Sequence, residues 1–273
     1  MFGVVGHSEW VDFAVCERLP RPGEILEGRE AFSAAAGGGA VAAVQLERLA
    51  RGRAFFVTTF GDDEIGRRAR ADLEARGVAV EGATRRGVGH RRALTFLTDD
   101  HERTITVLGA RRAPERAVDT LDWGRCAGAD GIYFTGGDAG ALQAARGARV
   151  LVATPRARDA LAVARVQLDV LVASANDPGE ADVAFDPPPR YVVWTAGAHG
   201  GRWTGADGTT GGWPAAALPA PAVDACGCGD SFAAGLAYGL GAAMAMPAAL
   251  ELAARCGAHC LTGRGPYGAQ LSL

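Results

Sequence analysis

Residues 224–240 read DACGCGDSFAAGLAYGL, and the rest of the chain is organised around that stretch. Gly227 and Gly229 stand just before an alanine-rich apolar run with helical spacing. Glycines at a helix start let the backbone turn tightly, so that the unpaired N–H groups of the first turn point outward. Aided by the helix dipole, those groups form a site for an anion such as phosphate. Asp230 puts a carboxylate in the same turn. A negative group beside a bound anion is unfavourable unless it serves as a base or helps to hold a metal, and the combination points to phosphoryl transfer. The plainer alternative is an N-cap, with the glycines ending a loop and Asp230 capping the helix.

Length and composition fit one α/β domain. The 273 residues are 48% hydrophobic and 22% charged, which is ordinary for a chain with a sizeable core. A net charge of −3 gives no general attraction to nucleic acid or to acidic membranes. There is no lysine, so all 28 basic residues are arginine. That excludes a Walker-type phosphate-binding lysine, a Schiff-base lysine and a lysine of the protein-kinase kind. The six cysteines contain no C-x-x-C pair, and no cysteine/histidine cluster has structural-zinc spacing, so reduced and mostly buried thiols are expected. The N-terminus MFGVVGHSEW lacks a basic region followed by an apolar run, and no apolar run is long enough to span a bilayer. The expected location is cytoplasmic.

FGVVG (2–6) and FFVTTFG (55–61) read as buried strands, with further strands expected near 131–135, 149–153, 169–173 and 191–195. Helical segments lie between them, including AVAAVQLERLA after Gly37-Gly38-Gly39 and the stretch that follows Asp62-Asp63 and ends at Gly77. Strands alternating with helices imply a parallel sheet covered on both faces. Three segments fit that core poorly: the alternating run around Trp10, Phe13 and Val15, a second exposed strand at 24–33, and the hairpin RRALTFLTDD…RTITVLG. They are expected to form a small separate sheet.

The string D-x-x-G-x-G-D-x-F, about four-fifths along the chain, resembles the C-terminal signature of the ribokinase-like (PfkB) carbohydrate kinases. Other elements follow in family order. GGG-AVAAVQLERLA resembles the glycine-glycine substrate loop and its helix, and FGDDEIGRR the G-x-D-x-x-G segment. DPGEA (177–181) resembles the N-x-x-E-A element, TAGAHG (195–200) the nucleotide loop, and TGRGPYGA (262–269) the turn after the last helix. The resemblance covers nearly the whole chain. It implies a three-layer α/β/α ribokinase-like domain over 1–273, with a mostly parallel central sheet and a small β-sheet lid from roughly 10–34 and 84–109. It also implies an ATP- and Mg²⁺-dependent kinase for a hydroxyl of a sugar or sugar-like molecule.

Residue by residue, the resemblance makes Asp230 the general base, and the backbone N–H groups of Gly227, Cys228 and Gly229 an anion hole for the transferring phosphoryl group. Thr195, Gly197 and Gly200 would line the nucleotide, and Glu180 would organise Mg²⁺ through water. Asp177 falls where the family has asparagine, while the only asparagine, Asn176, is one place earlier. Asp224 either braces a turn or lies by a monovalent-cation loop. Cys228 stands in place of alanine, either as a small packing residue or as a thiol acidified at a helix start. Gly38 and Gly39 belong to the substrate loop, but the asparagine expected after the glycine pair is Ala42.

The family's hydroxyl-binding aspartate, five residues after the glycine that closes the first strand (Gly6), falls on Val11. Glu9 is the first choice for that role, and Asp12, turned to the opposite face of a strand, would need a bulge to serve. His7 and Trp10 are candidates for compensating contacts, and Arg103 for an anionic group. The partly apolar lid suggests a homodimer. Two alternatives stay open: a nucleoside or vitamin-like alcohol kinase of the same fold, and a non-catalytic sugar- or nucleotide-binding sensor.

Overall fold

In the computed structural model, which describes residues 1–273, the chain forms two sheets. The strands are β1 (Phe2–Val5), β2 (Glu9–Val15), β3 (Glu30–Ala36), β4 (Ala54–Gly61), β5 (Ala79–Arg85), β6 (Arg92–Leu97), β7 (Arg103–Leu108), β8 (Gly131–Phe134), β9 (Val150–Ala153), β10 (Val170–Ser174), β11 (Tyr191–Thr195), β12 (Gly201–Gly205) and β13 (Thr210–Trp213). The α-helices are α1 (Gly38–Ala50), α2 (Glu64–Ala75), α3 (Gly124–Ala127), α4 (Ala139–Ala145), α5 (Arg158–Ala164), α6 (Cys228–Gly241) and α7 (Met246–Leu261). No helix is long and apolar enough to cross a membrane.

The larger sheet has nine strands in the order β13-β12-β11-β10-β9-β8-β1-β4-β5, parallel except for β12 and β13. Strand periodicity divides its side chains between two cores. Phe2, Val4 and Phe56 join α1, α2, α6 and α7 in one cluster. Val5, Phe55 and Val57 join α3, α4 and α5 in the other. The sheet is therefore covered on both faces, as near-continuous apolar strands require. Each fully buried aromatic such as Phe55 or Phe56 contributes roughly 1.5–3 kcal/mol by leaving water.

The smaller sheet has the order β3-β2-β6-β7, with β2 and β6 parallel and the other pairs antiparallel. Its second strand begins at Glu30 rather than at 24. Pro20, Pro22 and Gly23 bend the chain, and Arg18 and the Arg21 amide bond to Glu24, so pairing with β2 resumes only where Glu30 meets Val15. The antiparallel β12–β13 hairpin was not foreseen. Its turn is Asp207-Gly208, with Gly208 at φ 85°.

The chain leaves β1 toward β4 and β5 on one side and later fills β8 to β11 on the other, so the topological switch falls between β1 and β8. Ligand crevices of open α/β sheets form at that place, beyond the carboxyl ends of the strands. His7 and Thr135, just past the ends of β1 and β8, lie there.

Candidate active site

Two helix starts converge at the crevice. Gly37 precedes α1 at φ 84°, and Gly227 precedes α6 at φ 84°, both in backbone regions that disfavour side chains. A Cβ at Gly38 would lie 2.8 Å from Asp230 Oδ1, and one at Gly37 would lie 3.1 Å from Glu9 Cγ and 3.2 Å from His7. The consecutive glycines thus bring Glu9, His7 and Asp230 to one place. A Cβ at Gly39 would meet the His7 carbonyl at 2.6 Å, so this loop packs backbone against backbone.

Asp230 sits in the first turn of α6. The amides of Gly227 and Gly229 bond to no protein carbonyl, and that of Cys228 is held loosely, 3.4 Å from the Ala225 oxygen. Gly229 is exposed and faces open space. Such a turn can receive an oxyanion. Burial pushes the Asp230 carboxyl up to about 6, against the opposing charges of Arg103, Arg156 and Arg111. A carboxylate with that value can both accept a proton near neutral pH and release it again.

Asp224 does not face this turn. It is buried and accepts hydrogen bonds from the Cys226 amide (2.9 Å) and the Gly265 amide (2.7 Å), tying the 224–226 segment to the turn after α7. The Cys228 thiol is pushed up, by its hydrogen bond with Cys260 and by burial, rather than acidified. The lid reaches the same segment. Arg103 donates to the Ala225 carbonyl (3.2 Å), and the Ala225 amide donates to the His101 carbonyl (3.1 Å).

At the other end, Arg111 Nε donates to His7 Nδ1 (3.2 Å), so the proton on His7 Nε2 faces Glu9 Oε1 (3.1 Å). Arg91 Nε approaches the same Oε1 at 3.1 Å. Burial holds His7 below its ordinary pKa and hence neutral. Burial alone would raise Glu9, but the His7 hydrogen bond and the charges of Arg91 and Arg111 hold it down. Glu9 is therefore a buried, ionised carboxylate whose Oε2 makes neither contact. Asp12 lies elsewhere. β2 runs on without a bulge, and Asp12 accepts from Ser33 (2.6 Å) and Arg92 (2.8 Å) on the opposite face. Trp10 is buried under the Arg68 guanidinium, 4.6 Å from its ring centre.

Ser174 and Thr195 end neighbouring parallel strands, and the 175–180 and 196–200 segments follow them along the same sheet edge. Gly197 (φ 55°) has open space where a side chain would be, whereas a Cβ at Gly200 (φ 74°) would strike the Trp213 carbonyl at 2.1 Å. Glu180 is buried. Its Oε1 accepts from Arg156 Nε (2.5 Å) and its Oε2 from the Ser174 amide (2.8 Å). Asp177 Oδ1 accepts from Gly179, and Oδ2 pairs with Arg156. No group of three or more His, Cys, Asp or Glu side chains is placed to hold a metal ion directly. Each Glu180 oxygen already accepts one hydrogen bond, an arrangement that fits a carboxylate meeting Mg²⁺ through water.

Sequence reasoning missed Arg91, Arg111, Arg156 and Tyr133. Tyr133 is buried close enough to Asp230 that burial, then that charge, holds its phenol well above the ordinary value. One signal was available. In a chain without lysine, arginine must supply every fixed side-chain cation near a phosphate.

The covered parallel sheet, the switch-point crevice and the glycine turn holding an aspartate make a doubly wound α/β fold with a turn suited to an oxyanion. A family profile described as "pfkB family carbohydrate kinase" matches residues 3–181 and 150–271, and the chain belongs to that family. Among curated proteins, no sequence matches it. Among solved structures, it is similar to Arabidopsis thaliana ribokinase complexed with ribose and ATP (TM-score 0.77, 18% identity, 97% of this chain and 93% of that one). It is also similar to Cryptococcus neoformans ribokinase in complex with ADP (0.74, 20%, 97% and 94%). A third similar structure is the adenosine kinase of Sinorhizobium meliloti (0.73, 18%, 97% and 94%). At these identities the likeness establishes the fold.

Proposed function

We propose that the protein transfers the γ-phosphate of ATP to a hydroxyl of a sugar or related polyol, with Asp230 as general base. The observation that carries this reading is the 227–230 turn, with its free amides beside a carboxyl whose pKa is about 6. The acceptor hydroxyl gives its proton to Asp230 as its oxygen bonds to the γ-phosphorus, and the bond from that phosphorus to the β–γ bridging oxygen breaks, releasing ADP. The amides of Gly227, Cys228 and Gly229 hold the charge that builds on the transferring group. Thr195, Gly197, Gly200 and Asp177 flank the nucleotide, Gly38 and Gly39 shape the acceptor pocket, and Glu9 Oε2 takes an acceptor hydroxyl. Mg²⁺, when bound with the nucleotide, neutralises phosphate charge, and Glu180 meets it through water. The buried Asp224, which ties the 224–226 segment to the turn after α7, and that turn are where a monovalent cation would act. The whole chain works as one domain with an inserted lid, in the cytoplasm.

Exposed Ile105, Val107 and Leu108 on the outer lid strand support a homodimer, which light scattering of the purified protein tests. The adenosine kinase fold-mate keeps a nucleoside acceptor as the second reading. The deciding experiment measures ADP formation over sugars, polyols and nucleosides with the wild type and Asp230→Asn. Turnover of one acceptor that falls by about 100- to 10,000-fold in the variant, with nucleotide binding retained, is the expected result. ATP binding without turnover of any acceptor would favour a sensor instead.

A further inference from the structure

Arg91, Glu9, His7 and Arg111 form a continuous row, with successive contacts of 3.1, 3.1 and 3.2 Å. His7 is held neutral, so the row sets two guanidinium charges against one carboxylate. Arg91 meets Glu9 as an ion pair, yet its buried Nε and Nη1 have no well-aligned hydrogen bond, and its side chain is only 14% exposed. Buried guanidinium donors without acceptors are costly, and an unpaired charge more so. Arg111 is built in differently. It is anchored to His7, to the Arg156 carbonyl (3.0 Å) and to the Thr135 carbonyl (2.5 Å), which fixes its position without giving it a direct ion pair. Burial and repulsion from Arg91 hold Arg111 below its ordinary pKa, a penalty that an anion beside both groups relieves.

The row adjoins the acceptor pocket, because a Cβ at Gly37 would meet Glu9 and His7 while one at the next residue, Gly38, would meet Asp230. An acceptor with one hydroxyl at Asp230 therefore presents its far end to the row. We infer that the acceptor is an anionic polyol, a sugar acid or a sugar phosphate, whose carboxylate or phosphate is bound by Arg91 and Arg111 while Glu9 takes a hydroxyl. This rests on the kinase reading above and narrows it. An oxyanion both accepts from the buried Arg91 Nη1 and offsets the second guanidinium charge, whereas a neutral pentose can accept a hydrogen bond there but offsets no charge.

Matched probes test it: gluconate and ribonate, glucose 6-phosphate and ribose 5-phosphate, and neutral glucose and ribose. Binding is measured by calorimetry on Asp230→Asn with a non-hydrolysable ATP analogue, and turnover on the wild type. At least one anion should bind more tightly than its neutral parent, and weaken as salt rises. Arg91→Gln should cost that anion about 10- to 100-fold in Kd and KM while changing the neutral sugar little. Preference for the acids identifies a carboxylate, and preference for the phosphates a phosphoryl group. Equal or tighter binding of the neutral sugars, an Arg91→Gln loss equal for both classes, or no binding of any anion overturns the inference. The salt dependence uses unaltered Arg91, so a misfolded Arg91→Gln leaves the question decidable. Arg91-dependent anion binding with no ADP formed from any acceptor would instead sink the kinase reading and leave the anion site standing.

Discussion

The crevice has two ends built on different plans. At the Asp230 end, backbone amides supply the positive potential, and the carboxyl lies within reach of three arginines without a direct ion pair to any. At the Glu9 end, side chains supply it, through a row of charged and polar groups that touch one another. Amides on a tight turn depend on glycine geometry and on little else, so their pattern stands in a short contiguous string. A row of side chains draws on β2, the residues before it, Arg91 just ahead of β6 and the loop near 111, which are distant in sequence. The first plan holds any phosphoryl group, whereas the second can select one acceptor.

Altering the glycines tests whether the two ends work together. Gly38→Ala puts a Cβ 2.8 Å from Asp230 Oδ1, so the carboxylate must shift. A misplacement of that size should lower kcat on the order of 100-fold, with ATP affinity little changed. Gly200→Ala forces a side chain onto φ 74° against the Trp213 carbonyl, far from the acceptor row. It should raise KM for ATP, leave the ranking of acceptors intact, and cost about 1–3 kcal/mol of stability in denaturant titrations.

Asp230 also carries a stability cost. Its folded pKa of about 6 lies above the ordinary 3.8, so the ionised form is disfavoured in the fold. Stability from this group is full below pH 3.8 and is lost as pH rises through about 6. Asp230→Asn should therefore be more stable than the wild type at pH 7 by roughly 1–3 kcal/mol, with the gain disappearing in acid. The smallest effect is expected at Asp12. Asp12→Asn removes a half-exposed pair with Arg92 and should change stability by less than about 1 kcal/mol and acceptor KM hardly at all.

The parallel core was legible because FGVV and FFVTTF are continuous apolar runs whose alternate side chains serve two buried faces. The lid hairpin was legible from alternation around a polar turn, while β3 was displaced because turn-forming residues precede it. The phosphoryl end was readable because its parts are adjacent in sequence. The acceptor end was readable in part: Glu9 and His7 stood out as candidates, while Val11 and Ala42 stand where hydroxyl ligands were expected. Arg91 and Arg111 lie among many arginines, and nothing local separates a cation that meets Glu9 and His7 from one that meets solvent.

The central claim is that Asp230 takes the proton in phosphoryl transfer, and the pH dependence of kcat/KM for the acceptor tests it most directly. The account predicts a rate that rises about tenfold per pH unit in acid, bends near 6 and is level above it, with that limb absent in Asp230→Asn. A flat profile through that region, or an Asp230→Asn protein that keeps both the limb and a near-normal rate, would contradict it.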